Sequence, residues 1–223
     1  MSYSAEISRA NPTAFLFLID QSGSMVDTIP GRQESKAEFL ATAINRALRE
    51  LIIKCSKGTE IRDYFAVGVI GYGTTVGPAF SGALAGEYLS WISEVGMNPA
   101  RVEERVQKVD DGVGGLIEQS IKFPVWFEPV ANGGTPMCQA LQMANDVISG
   151  WVTEHPDSFP PVIMHFTDGE STDGDPTSQM EALKSLSTSD GQAILFNVHI
   201  SSTNADPIAY PDSATQLPDP YAK

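Results

Sequence analysis

The chain is 223 residues long, 42% hydrophobic and 19% charged, the balance of an ordinary globular protein at a length that one α/β domain fills. Lys+Arg of 14 against Asp+Glu of 28 gives a net charge of −14, which excludes a broad electrostatic footprint on nucleic acid or anionic lipid. No stretch approaches the roughly 18 apolar residues of a membrane span, and Met1 to Glu6 carry neither a basic leader nor an apolar signal core, so a cytoplasmic protein is expected.

Residues 1–12 are polar and end in Asn11-Pro12, an irregular arm. Phe15 to Ile19 form an apolar run that meets Asp20, Ser22 and Ser24. Such a run reads as a strand buried on both faces, as in a parallel sheet, so these oxygens fall at its carboxyl end, where open α/β sheets bind ligands. Carboxylate and hydroxyl oxygens suit a hard cation such as Mg²⁺.

Ser35-Lys36-Ala37-Glu38 fits a capping box. The helix behind it places Leu40, Ile44, Leu48, Leu51 and Cys55 on one face, and Lys57-Gly58 is expected to close it. Phe65 to Tyr72 is a second buried strand, completing a right-handed strand–helix–strand unit and fixing the α/β class. Thr74 to Phe80 reads as a short edge strand, because Gly77 and Pro78 disfavour a central position.

Periodicity fades over residues 81–132. Leu84, Tyr88, Leu89, Trp91 and Ile92 suggest a short packed segment, Arg101 to Val109 a charged helical turn, and Lys122 to Val130 another strand. So long an irregular stretch is either an ornament on the sheet or a partner-binding insertion.

Gly133-Gly134 leads into Thr135-Pro136, which matches an N-cap and first helical position, and Met137, Leu141, Ala144, Ile148 and Trp151 mark the buried face that follows. Pro161 to Phe166 is a third apolar strand, running through Thr167 into Asp168-Gly169. A polar loop with Glu170, Asp173 and Asp175 then precedes a helix carrying Met180, Leu183 and Leu186, and Ala193 to Ile200 is a fourth strand. Residues 201–223, with Pro207, Pro211, Pro218 and Pro220, form an extended tail. Cys55 and Cys138 lack CxxC spacing and are expected as reduced core thiols.

Singly, the polar residues at the strand ends are turn-formers and caps. Together, Asp20-Gln21-Ser22-Gly23-Ser24, Thr135 within Gly-Gly-Thr-Pro, and Asp168 within Thr-Asp-Gly converge on one rim of the sheet. This pattern resembles the von Willebrand factor type A (VWA) domain, a Rossmann-like family whose metal-ion-dependent adhesion site combines a DxSxS sequence with a distant Thr and a distant Asp.

The resemblance spans roughly residues 13–200 and implies a mostly parallel sheet with helices on both faces, interrupted by an insertion at 81–132. It implies a Mg²⁺ site, with Mn²⁺ or Ca²⁺ as alternatives, formed by Asp20, Ser22, Ser24, Thr135 and Asp168, the two aspartates ligating directly or through water. One coordination position is left for a partner's Asp or Glu. The implied function is a non-enzymatic adaptor of the intracellular bacterial type. The family's final strand and helix are not recognisable after Ile200.

Competing chemistries fit less well. A haloacid dehalogenase-like phosphotransferase needs a second acid where Ser22 stands. No P-loop occurs, Gly71-Tyr72-Gly73 lacks the third glycine of a dinucleotide fingerprint, and no Gly-x-Ser-x-Gly elbow surrounds Ser22 or Ser24. His155, His165 and His199 lack zinc spacing, and the acidic loop misses the EF-hand register, leaving a solvated loop. A structural subunit with a non-essential metal site is the other surviving reading.

Overall fold

A computed structural model describes residues 3–110, 115–204 and 206–217; the part of the expected tail that includes Pro218 and Pro220 lies outside them. The elements in order are β1 (Thr13–Asp20), α1 (Lys36–Cys55), β2 (Phe65–Tyr72), β3 (Val76–Pro78), β4 (Ser90–Trp91), α2 (Ile92–Met97), β5 (Arg101–Asp110), β6 (Leu116–Val125), α3 (Met137–Glu154), β7 (Val162–Thr167), α4 (Thr177–Ser185) and β8 (Ile194–His199). Two-residue ladders at 56–61 and 187–192 accompany them.

The main sheet runs β8-β7-β1-β2-β3, with β4 also pairing β2. The pairs β1–β2, β1–β7 and β7–β8 are parallel, whereas β3 and β4 run antiparallel to β2. This is the α/β, Rossmann-like, mostly parallel architecture expected from the sequence. Among the described residues no strand pairs with the outer side of β8.

β1 shows why the run of apolar residues is continuous. Alternate side chains on a strand point to opposite faces: Phe17 and Ile19 pack with Leu40, Ala41, Ile44 and Leu48 of α1, while Ala14, Leu16 and Leu18 pack with Ala140, Leu141, Ala144 and Ile148 of α3. Helices thus cover both faces. The chain passes from β1 to β2 on one side and later returns to lay β7 on the other, so the topological switch lies beside β1, with Asp20 at its end and Asp168 just past β7.

Helix α1 starts as its capping box dictates: Ser35 Oγ accepts from Glu38 N at 3.2 Å, and Glu38 Oε2 accepts from Ser35 N at 2.8 Å. It ends at Cys55, before the expected Lys57-Gly58 stop. Gly58, at φ +65°, instead turns the small hairpin Ser56–Lys57/Glu60–Ile61, a left-handed conformation that glycine adopts without steric cost. Helix α3 likewise starts at Met137, with Pro136 as its flanking residue, so Thr135 is not its N-cap.

The segment Arg101 to Val109 is not a helical turn. It is most of β5, paired antiparallel with β6 over ten residues, Arg101 facing Val125 and Asp110 facing Leu116. The ribbon's root is buried: Phe123, Val125, Trp126 and Phe127 are all 3% exposed or less. Asn45, in the middle of α1's apolar face, fastens that root. Its amide donates to the carbonyls of Ala41 and Phe127, both at 2.8 Å, and its Oδ1 accepts from Trp126 N at 2.7 Å and Phe127 N at 3.1 Å.

Both cysteines are free thiols. Cys55 is buried, and desolvation pushes its thiol up to about 11, which makes it inert at neutral pH. Cys138 is only half-buried at the start of α3 and is not a core residue. No helix among the described residues is long and apolar enough to cross a membrane.

Candidate metal centre

At the switch point, Asp20 ends β1 at 1% exposure. Its Oδ1 accepts from the backbone N of Ser22 at 2.8 Å and its Oδ2 from Thr167 Oγ1 at 2.8 Å. Burial pushes the Asp20 carboxyl upward, opposed by the hydrogen bonds from Ser22 and Thr167 and reinforced by the nearby charge of Asp168. A chain of oxygens continues outward: Ser22 Oγ lies 3.1 Å from Ser24 Oγ, which donates to Asp168 Oδ1 at 2.8 Å.

Thr135 arrives from another part of the chain by backbone contacts. Asn132 N donates to Gln21 O at 2.7 Å and Gly23 N to Gly133 O at 3.0 Å. Gly133 takes φ +77°, and a Cβ there would lie 2.4 Å from Thr74 N, so no other residue fits this approach. Thr135 N in turn donates to Thr172 Oγ1 at 2.9 Å, and Thr172 N to Thr135 O at 2.9 Å. Thr135 is 7% exposed and lies two residues past the Gly133 carbonyl that Gly23 N reaches, which brings its backbone close to the Ser22–Ser24 loop.

One residue of this site escaped sequence reasoning. Lys36, the first residue of α1, is 2% exposed and places Nζ 2.7 Å from Asp168 Oδ2. The capping box around it carries no signal of burial, and only the tertiary approach of α1 to the end of β7 reveals the ion pair. Both oxygens of Asp168 therefore carry a donor, Ser24 on one and Lys36 on the other.

The donor set is wholly oxygen. Among the described residues no three His, Cys, Asp or Glu side chains converge, so what the rim offers is two carboxylates with serine and threonine hydroxyls. Mg²⁺ takes oxygens at about 2.0–2.1 Å in an octahedron, whose adjacent ligands then lie about 2.9 Å apart. The Ser22–Ser24 and Ser24–Asp168 separations of 3.1 and 2.8 Å are ordinary hydrogen-bond lengths, so the fit to such an ion rests on the chemistry of the donor set, which is oxygen throughout. Each oxygen of Asp20, like each oxygen of Asp168, already accepts a hydrogen bond from the protein.

The acidic loop after Asp168 is exposed, and its carboxylates serve the helices beside it. Asp173 accepts from the backbone N of Cys138 and of Gln139, each at 3.0 Å. Against the desolvation that pushes it up, these amides hold the Asp173 carboxyl below its ordinary range. Asp175 accepts from Thr177 N at 2.9 Å at the start of α4.

His165 lies beneath the site, fully buried, with Nε2 2.7 Å from the hydroxyl of Tyr72. Desolvation holds its pKa down at about 4, with Asn197 acting weakly the other way. As pH falls the unfolded chain takes up this proton first, near 6.5. The stability present while His165 is neutral is therefore lost from pH 6.5 down to about 4, up to about 3 kcal/mol in all. Urea denaturation across pH 4–7 should show this slope for the protein and a flatter one for His165→Gln.

Fold and site together define an open, mostly parallel α/β domain with a cluster of oxygen donors at its switch point. No family model and no curated protein matches the sequence. Among solved structures, it is similar to the three N-terminal domains of the type V pili tip protein Mfa5 from Porphyromonas gingivalis, with a TM-score of 0.39 and 14% identity, covering 72% of this chain and 20% of that one. It is also similar to the ArnB paralog VWA2 from Sulfolobus acidocaldarius, with a TM-score of 0.43 and 13% identity, covering 88% of this chain and 36% of that one. The chain thus spans well under half the length of either.

Proposed function

We propose that this protein is a VWA-type, metal-dependent protein-interaction module, an adaptor rather than an enzyme, in which Asp20, Ser22, Ser24, Thr135 and Asp168 hold Mg²⁺ for a partner's Asp or Glu. The observation that carries this reading is the contiguous run of oxygens Ser22 Oγ, Ser24 Oγ and Asp168 Oδ1 at the sheet's switch point, a donor set of the kind a small hard cation takes. When bound, the ion would supply a Lewis-acidic centre for a carboxylate. Neutral hydroxyls in the ligand set leave it charge to offer.

Next to the rim a cleft of about 440 Å³, bordered by Gln21, Thr74, Thr75, Glu128 and Asn132, gives room for residues flanking that carboxylate. The net charge of −14 favours a protein partner over nucleic acid or an anionic membrane. A bacterial, cytoplasmic setting accords with the form of the domain that the sequence resembles.

A second reading, a structural subunit whose metal site is not essential, is favoured by the Lys36–Asp168 ion pair, which supplies a positive charge without any metal. Calorimetric titration with MgCl₂ tests the metal site, and affinity capture in Mg²⁺ or EDTA tests its use. The adaptor reading expects one saturable site, weakened at least about tenfold in Ser24→Ala, and partner retention lost in EDTA. Capture indifferent to both EDTA and Ser24→Ala would favour the structural reading.

A further inference from the structure

A lysine is a poor choice for the position of Lys36 on local grounds. It stands in the first turn of α1, where the helix dipole disfavours a cation, and its ammonium is withdrawn from water, the side chain being 3% exposed. Burial of an ammonium is costly unless it is paired and hydrogen-bonded. Asp168, with a side chain 1% exposed, meets that need through Oδ2 at 2.7 Å. Yet Asp168 also belongs to the run of oxygens that fits a cation, through Oδ1 and Ser24. One carboxylate thus serves both a resident charge and the candidate metal.

We propose that Lys36 is a resident counter-cation of the metal site, which holds the site together without metal, weakens Mg²⁺ binding by its charge, and strengthens the pull of the loaded site on an anionic partner. This inference rests on the metal-site reading above. With both carboxylates ionised, Asp20, Asp168 and Lys36 leave a single net negative charge at the rim, and a divalent cation converts it to a single positive charge. A partner carboxylate restores neutrality. Without Lys36 the loaded site would already be neutral and would draw an anion less strongly. The partner class that the site selects is therefore a carboxylate that arrives with the metal or just after it.

Even at the dielectric of bulk water, a divalent ion about 4 Å from an ammonium is repelled strongly enough to weaken its binding about tenfold or more. The test is a calorimetric MgCl₂ titration of the full chain and of Lys36→Met, which keeps an unbranched apolar stem and removes the charge. A thermal melt of each in EDTA and in Mg²⁺ supplies a second readout.

The expected result is Mg²⁺ bound at least tenfold more tightly by Lys36→Met, together with a melting temperature that falls in EDTA and is restored by Mg²⁺. The unmodified chain should melt at nearly the same temperature in both. Added acetate should tighten Mg²⁺ binding to the unmodified chain more than to the variant. Lys36→Gln, which keeps a donor toward Asp168 but no charge, should follow Lys36→Met, and folding of either variant only in Mg²⁺ would support the proposal equally.

Equal or weaker Mg²⁺ affinity in both variants would overturn the counter-cation role and leave the metal site standing. If neither the chain nor its variants bind Mg²⁺, or if binding ignores Ser24→Ala, the metal reading itself fails and this inference with it.

Discussion

Asp168→Ala should destabilise the protein by about 3–5 kcal/mol, the cost of leaving a buried charge without its partner. The lost carboxylate is not the main term, since Ser24 is exposed and its hydroxyl can turn to water. What remains is Lys36, whose side chain is 3% exposed and whose ammonium is paired at 2.7 Å in the unaltered protein. Urea denaturation in EDTA measures the effect. The double variant Lys36→Met with Asp168→Ala should recover most of it, because replacing a buried pair by apolar groups is close to neutral whereas halving it is not. A single-variant loss under about 1 kcal/mol would mean that the ammonium reaches water once Asp168 is gone. For the same reason Asp168→Ala would confuse loss of metal binding with loss of folding, and Ser24→Ala is the cleaner probe of the metal site.

Asn45→Ala should cost about 3–6 kcal/mol. The side chain is 2% exposed and satisfies Trp126 N, Phe127 N and Phe127 O at once, and each buried backbone group stripped of its partner costs about 1–3 kcal/mol. The damage should centre on the root of the β5–β6 ribbon, where the Trp126 indole donates to Val95 O at 2.6 Å. A red-shifted tryptophan emission together with the lower urea midpoint would place the loss there. A midpoint within about 1 kcal/mol of the parent would show that water reaches the vacated amides.

Much of this architecture is legible in the sequence because local signals there agree with tertiary ones. The run Phe15–Ile19 is apolar at every position since β1 is central and covered on both faces. Ser35 and Glu38 specify the start of α1 within four residues. Asp20 and Asp168 are recognisable because each follows an apolar strand, and parallel strands bring their carboxyl ends to one rim.

What escaped prediction depends on distant partners. In Arg101–Asp110, Val102 and Val106 stand four apart among charges and so read as a helix, but pairing with Leu116–Val125 decides the matter. Lys36 and Asn45 are polar letters whose burial follows from Asp168 and from Trp126–Phe127, more than 80 residues away in the chain. Thr135 before Pro136 has the local form of an N-cap, but the helix starts one residue later and Asp173 accepts from its first free amides instead.

Lys36 and Asn45 share one helix, and that has a mechanical meaning. At 1.5 Å per residue they lie about 14 Å apart along a single rod. The first residue of the helix is fastened to the rim that carries Asp168, and its middle to the root of the ten-residue β5–β6 ribbon. A helix transmits displacement along its axis with little compression, so α1 cannot slide or roll at one fastening while staying fixed at the other. The rim and the ribbon are therefore joined through the first half of α1 as by a strut.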